Sequence, residues 1–454
     1  MDTHIEQKLI EELQQMDQLF DLLYPINRSI TGEGVRQTFN ILKEIIPLDV
    51  FFIPTGTKVF DWEIPKEWKI HEGWLKGPDG KKIVDFSDHN LHVVNYSTSV
   101  DRKLSLEELK PNLYTIPNLP EAIPYVISYY RERWGLCLPY STYESLEEGT
   151  YHAYIDSEHV DGVLNFAHAI LPGESKEEIL ISTYVCHPSM ANNELSGPIV
   201  ATFLYNRLKK WKKRRFTYRF VFVPETIGSI SYLYKFGNEL KKNTYSGLVL
   251  TCLGGKVDLS YKHSRQGNAP IDRVVNHFFE GGLKGSTRAF TPNNGSDERQ
   301  YCSPGFNLPV GQMARLTYGQ YKEYHTSLDN KELITIKSLQ KSVNEIECIL
   351  QGLELEGYYV NLSPFGEVKL DKHGLYPDIN SQDRWTRADN EAINHREILN
   401  WVLSILNYSD GEHTLLQIAE KCNCSILDLE PVIDILKSKG ILEGPYTNQR
   451  GLHK

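Results

Sequence analysis

The chain has 454 residues, a formal net charge of −10, 40% hydrophobic and 24% charged residues. This is the composition of an ordinary globular protein of two or three domains, and its negative charge argues against nucleic acid as the main partner. No run approaches about 18 consecutive apolar residues, so no membrane span is expected. The acidic, amphipathic N-terminus does not read as a secretory signal. Seven scattered cysteines make no disulfide framework, which points to a reducing, cytoplasmic setting.

Residues 5–23 carry apolar side chains at helical spacing (Ile5, Leu9, Leu13, Met16, Phe20, Leu23) and predict an amphipathic helix ended by Pro25. A turn at Ser29-Ile-Thr-Gly-Glu-Gly, a helix over 35–46 and a strand over 48–54 follow. Residues 58–149 change character. Trp62, Trp68 and Trp74, short alternating runs and the turn Gly77-Pro-Asp-Gly80 predict a β-rich inserted domain. His71, His89 and His92 within it are candidate ligands, but surface or core hydrogen bonding is the preferred reading. Residues 151–155 and 161–169 are expected as paired strands. Between 179 and 353 strands and helices alternate, which implies a sheet with helices on both faces. The basic run 209–215 reads as a solvated helix C-terminus.

Residues 358–386 are polar and rich in Pro, Gly and Asp, and are expected to be a tether. After them come helices over 393–406, 415–422 and 426–439, and then a Gly-rich wing, which is a winged-helix pattern. The expected domains are therefore 1–57 with 150–385, the insert 58–149, and a winged helix at 386–454. Residues 391–454 hold six Lys/Arg against nine Asp/Glu. Such a module lacks the counterion-release term that dominates DNA affinity. Protein contact or self-association is the expected role.

The chemistry gathers after strand ends. The apolar stretch 179–185 stops at Cys186-His187-Pro188, since proline cannot extend a ladder. The polar loop with Asn193 and Glu194 follows, and Ser196-Gly197 opens a helix. A second strand ends in Pro224-Glu225. Tyr324-His325-Thr-Ser-Leu-Asp329 precedes the long helix over 333–353. In open α/β sheets ligands bind past the carboxyl ends of strands. Two histidines and nearby carboxylates there are the ligand types of a catalytic zinc. On the loop 293–299, Asp297 is a candidate to support the metal ligands or contact a substrate amine and Arg299 to hold a carboxylate, with a plain turn at least as favoured a reading.

The motifs Tyr24-Pro-Ile-Asn-Arg-Ser-Ile-Thr-Gly, Gly56-Thr-Lys-Val-Phe-Asp-Trp, Cys186-His-Pro-Ser-Met-Ala-Asn-Asn-Glu-Leu-Ser-Gly, Pro224-Glu-Thr-Ile-Gly-Ser and Tyr324-His-Thr-Ser-Leu-Asp span nearly the whole chain. Together they resemble a bacterial family of aminopeptidase-like proteins related to the zinc exopeptidases, with an inserted small domain and a C-terminal winged helix. The resemblance implies an α/β phosphorylase/hydrolase-like core and a zinc-dependent amide hydrolase acting on a small peptide or amide. It places His187 and His325 at the two histidine ligands, Asn193 at the metal-bridging aspartate, Glu194 at the asparagine that follows it, and Glu225 where those enzymes carry a Glu-Glu pair. The strand over 247–252 ends in Thr-Cys where they have a further aspartate. With fewer carboxylates to offset a second dication, one zinc per chain is expected. The expected ligands are His187, His325 and either Glu194 or Glu225, with Asn193 beside them, Glu225 as base and Tyr324 near the substrate. The rival expectation is a degenerate metal-binding scaffold.

Overall fold

The computed structural model describes residues 3–375, 385–386, 392–393 and 395–449. It separates into two units, one holding residues up to 269 with 285–344, the other 270–284 with residues from 345 onward.

The first unit begins with the helices α1 (Thr3–Leu23) and α2 (Glu33–Lys43) and the strand β1 (Asp49–Pro54). Next come β2 (Glu67–Lys76), β3 (Lys82–Asp85), β4 (Val100–Ser105), β5 (Thr150–Val160) and β6 (Val163–Leu171). The remaining elements are β7 (Glu178–Tyr184), α3 (Ser196–Leu208), β8 (Thr217–Val223), α4 (Ile227–Asn243), β9 (Thr244–Leu250), β10 (Leu259–Lys262), β11 (Gly285–Arg288) and β12 (Val310–Ala314).

Eight strands form the main sheet in the order β1-β6-β8-β7-β9-β12-β10-β11. Its centre is parallel, with β7 between β8 and β9 and β9 beside β12. Antiparallel neighbours flank the centre: β6 lies against β8, and β10 against β12. Every residue of β7 is buried, as expected for a parallel strand covered on both faces. The carboxyl ends of β7, β8, β9 and β12 therefore open on the same edge.

The second sheet runs β3-β2-β5-β4. Here the structure corrects one expectation. Residues 151–155 do not pair with 161–169; β5 pairs with β2 and β4, while β6 joins the main sheet. The short turn at Asp161-Gly162 carries the chain from one sheet to the other. Residues of the insert pack in two clusters, one of them Leu91, Val94, Ile123, Tyr125 and Cys137 with Met190. Val59, Trp68, Leu75, Tyr151 and Ile155 share the other apolar cluster with Leu164, Phe166, Leu180 and Val221 of the main sheet. A small β layer gains stability by sharing apolar area with its neighbour.

One buried polar cluster stiffens the sheet. Arg219 on β8 grips Glu178 on β7 through Nε–Oε2 (2.6 Å) and Nη2–Oε1 (2.9 Å). Beside it, His168 Nδ1 meets the Tyr232 hydroxyl at 2.8 Å. Burial, with Arg219 adding repulsion, pushes the His168 pKa down to about 4. An unfolded chain would protonate this ring near 6.5. Between those values the unfolded state binds more protons, so stability is complete above about 6.5 and is lost as pH falls toward 4. Denaturant titration at pH 7 and pH 4.5 is expected to show a loss to which His168 contributes on the order of 2 kcal/mol. A His168→Gln chain, which cannot take up that proton, should lose less over the same interval.

The second unit contains α5 (Pro270–Glu280), β13 (Tyr358–Asn361), α7 (His395–Tyr408), β14 (Asp410–Thr414), α8 (Leu415–Cys422), α9 (Glu430–Ser438) and β15 (Leu442–Tyr446), and the helix α6 (Ile336–Leu355) runs across the boundary between the units. The stretch expected to be a tether supplies β13, the central strand of the sheet β14-β13-β15. Tyr359 is fully buried there and Asn361 Nδ2 donates to the Leu406 carbonyl at 2.8 Å. Its polar neighbours hid this strand. Residues 376–384 of the expected tether lie outside the described residues. No helix among the described residues is long and apolar enough to cross a membrane.

Candidate functional site

The loops after β7, β8, β9 and β12 build the site. Each departs from ordinary backbone geometry at a non-glycine residue: Ser189 (φ 46°), Thr226 (φ 63°), Cys252 (φ 53°) and His325 (φ 57°). Left-handed backbone at such residues is uncommon and costs of order 1–3 kcal/mol apiece, and it persists where surrounding contacts impose it.

After β7 the chain turns at His187, and Ala191–Leu195 forms a π-helical turn leading into α3. Gly197 lets this segment lie on the sheet, since a Cβ there would come within 2.2 Å of Thr183 Oγ1 and 2.6 Å of the Leu250 carbonyl. Asp329 fixes the turn from the other side. Its carboxylate accepts the Asn192 amide at 2.6 Å and the Asn193 amide at 2.9 Å, and burial pushes its pKa up to about 6. Asp329 is thus committed to backbone and not aimed at a ligand.

His187 is buried, with its ring held on both sides. Glu194 Oε2 accepts from the His187 backbone amide and from Nδ1, both at 3.0 Å. The opposite nitrogen, Nε2, lies 3.7 Å from Glu225 Oε2. Burial disfavours a charged ring, yet Cys186, Tyr125 and Glu194 together hold the His187 pKa well above the ordinary histidine range. Burial pushes the Cys186 thiol up to about 11.

His325 stands across from His187, with ring centroids 5.4 Å apart. Burial, and repulsion from His187, push its pKa down to about 3, so the ring is neutral. Its Nε2 is buried without a hydrogen-bond partner. Tyr324 stacks on it at 3.9 Å. Asn193 donates through Nδ2 to the Tyr184 hydroxyl at 3.0 Å, and its Oδ1 is also buried and unpartnered. Next to it, 3.9 Å from Nδ2, is the Cys252 sulfur. Burial pushes that thiol up to about 12, so it is neutral.

Glu225 is partly exposed, and its Oε1 accepts from Ser296 Oγ at 2.8 Å. Asp297 lies behind it, fully buried, accepting the Thr226 amide and Ser229 Oγ at 2.8 Å each. Burial and the nearby Glu225 push its pKa up to about 8. Arg299 turns toward its own loop, donating through Nε to the Ser296 carbonyl at 3.1 Å. Both side chains thus bond the backbone around Glu225, Asp297 at Thr226 and Arg299 at Ser296.

Cys186, His187 and Glu194 bring one donor atom each within 4.8 Å of one another, which is one candidate arrangement for a metal among the described residues. Charge argues against it. The fully buried Arg28 guanidinium lies 3.4 Å from Glu194 Oε1, a poor neighbour for a dication. Two other buried atoms, His325 Nε2 and Asn193 Oδ1, have no hydrogen-bond partner, which leaves each open to an ion. Glu194, one of the two carboxylates expected as a ligand, accepts from His187 Nδ1.

The insert reaches this site, which composition alone did not show. The Ile123 and Tyr125 amides donate to Ser327 Oγ and the His325 carbonyl. The Tyr125 ring packs against both histidines at 5.3 and 5.2 Å. Its hydroxyl meets that of Tyr129 at 2.5 Å. The histidines His71, His89 and His92 are engaged elsewhere, with Glu158, the Leu91 amide and the Cys137 carbonyl respectively.

Comparison with known proteins agrees with this architecture. The family described as Domain of unknown function (DUF4910) matches residues 17–356, and a winged helix-turn-helix family matches residues 357–444; the second match begins one residue before β13. A Clostridium acetobutylicum protein is 41% identical over 419 residues, 92% of this chain and 93% of its own. Its name assigns it, provisionally, to polysaccharide biosynthesis with an aminopeptidase-like domain. A crystal structure from the same organism, provisionally described as a peptidase, superposes with a TM-score of 0.85 at 38% identity, covering 97% of this chain and 99% of that one. The zinc aminopeptidase BSAP of Bacillus subtilis superposes with a TM-score of 0.56 at 11% identity, covering 75% of this chain and 94% of its own, a likeness of fold. The first unit is therefore an aminopeptidase-like α/β fold, and the chain belongs to the family described as Domain of unknown function (DUF4910), continued by a winged helix-turn-helix.

Proposed function

We propose that the chain is a zinc-dependent, aminopeptidase-like hydrolase that cleaves an amide bond in a small substrate. The observation that supports this is the pairing of His187 with Glu225. The imidazole Nδ1 is taken by Glu194, Nε2 lies 3.7 Å from a partly exposed carboxylate, and a second, neutral histidine has its ring centre 5.4 Å away. His187, His325 and Asn193 would hold the ion. Zinc would polarise the scissile carbonyl and lower the pKa of a bound water toward ~7. Glu225, oriented by Ser296, would take the proton from that water and pass it to the leaving nitrogen. Tyr125, Tyr129 and Tyr324 would wall the site and exclude water from it, leaving room for a small substrate. The relative's name points to an amide carried by a saccharide precursor as one substrate type to screen. A cytoplasmic setting and protein contact through the winged helix complete the reading.

Metal analysis of chain purified without added metal tests the site first. About one zinc per chain is expected, falling below a tenth in His187→Ala. Two zincs would assign a dinuclear centre. None, even after zinc is supplied, would favour a scaffold that retains only the fold.

A further inference from the structure

We propose that Arg28 is a positioning residue, which holds Glu194 so that His187 presents Nε2 to the candidate metal position. The inference rests on the reading of His187 as a ligand.

Arg28 lies 159 residues from His187 in sequence and is 0% exposed. Its Nε donates to the His187 carbonyl at 3.0 Å and lies 3.4 Å from Glu194 Oε1. Nη1 donates to the Leu23 carbonyl at 2.8 Å, and Nη2 has no partner. The Arg28 carbonyl accepts from Asn95 Nδ2 at 3.0 Å, and Ser29 bonds the same Asn95, so the backbone is pinned as well. A guanidinium without full pairing is costly to bury. A hydrophobic side chain would fill this place at lower cost, so packing alone does not account for the charge.

Glu194 shows what the charge does. Its Oε2 takes two N–H groups of His187, whereas Oε1 has no hydrogen bond and faces only Arg28. Without Arg28, Oε1 of this buried side chain would face no partner at all and the carboxylate would be free to turn from His187. It would then no longer accept from Nδ1 with the same geometry. A carboxylate behind a ligating histidine fixes the ring's tautomer and orientation, and losing such a partner typically weakens metal binding 10–100-fold. Arg28 extends that chain of support by one residue. Its Nε meets both the His187 carbonyl and Glu194 Oε1 while Nη1 holds the Leu23 carbonyl, a planar spread of donors that lysine cannot reproduce.

The test uses the full chain with Arg28→Met, Arg28→Lys, Glu194→Gln and the double variant Arg28→Met/Glu194→Gln. Zinc affinity is read by competition with a chromophoric chelator. The metal-free proteins are also compared by proton NMR for the ring N–H shared between His187 and Glu194, assigned by its loss in His187→Gln. Wild type is expected to show a protected, downfield ring proton. Arg28→Met should lose it, Glu194→Gln, whose amide oxygen accepts without charge, should shift it upfield, and both should bind zinc about 10–100-fold more weakly. The double variant should be no weaker than either single, since the two residues act as one unit. Arg28→Lys should recover part of the affinity.

A folded Arg28→Met that keeps both the ring proton and wild-type affinity overturns the proposal. Should that variant fail to fold, unchanged zinc affinity in Glu194→Gln overturns it equally, since Arg28 acts only through that carboxylate. If wild type binds no zinc but loses the ring proton in Arg28→Met, the metal reading fails and the positioning role stands.

Discussion

Glu225→Gln is expected to cut turnover on an aminoacyl- or N-acyl-amide substrate by ~10²–10⁴-fold, while zinc content stays at the wild-type level. Glutamine keeps the volume of the side chain and can still accept from Ser296 Oγ, the bond that orients Oε1 at 2.8 Å. What it cannot do is accept a proton. Glu225 is the carboxylate placed to do so, because its Oε2 faces His187 Nε2 at 3.7 Å and it is partly exposed, whereas Glu194 is buried against Arg28. Parallel metal analysis separates the roles. Zinc lost together with turnover would make Glu225 a ligand; turnover kept would move the base elsewhere. A wild-type chain that binds zinc yet turns over nothing across a broad panel would point to the scaffold reading.

The strand ends were legible because proline marks them. Pro188 and Pro224 stop two apolar runs, and His187 and Glu225 sit beside them, so sequence reasoning placed both on one rim. The histidine in Tyr324-His325 could be placed near that rim because the long helix after it was periodic. The direction in which Glu194 points was not legible. A carboxylate seven residues after His187 can serve as a ligand or stand behind it, and the deciding contact comes from Arg28, near the start of the chain. Arg28 gave one local signal, a charged residue inside the turn-forming motif Asn27-Arg-Ser-Ile-Thr-Gly, and no indication of its partner. Tyr125 was equally hidden, because its contact with both histidines depends on the insert folding onto the main sheet. The same merging explains why β5 was assigned to the wrong sheet. The left-handed backbone at Thr226, Cys252 and His325 left no mark either, since glycine, the usual indicator, is absent there.

The double substitution Asn193→Asp with Cys252→Asp is expected to raise zinc from about one to about two per chain. These positions carry a neutral amide and a neutral thiol, with Asn193 Nδ2 3.9 Å from the Cys252 sulfur. Two buried carboxylates at that spacing would repel by about 4 kcal/mol at an effective dielectric near 20. In metal-free protein one of them would therefore keep its proton. A second dication would relieve the repulsion and also offset its own burial, which the native pair cannot do for it. Each single variant should remain near one zinc, because one added charge leaves a second ion under-compensated. The neighbours Tyr184 and Thr251 bond through hydroxyls, and so can donate to a new carboxylate without rearrangement. Thermal melting with and without zinc gives a readout independent of stoichiometry: the double variant should gain more stability on zinc addition than wild type. A folded double variant that still holds one zinc would show that the space beside Asn193 and Cys252 is not a second metal position, and the native count would then need a cause other than missing negative charge.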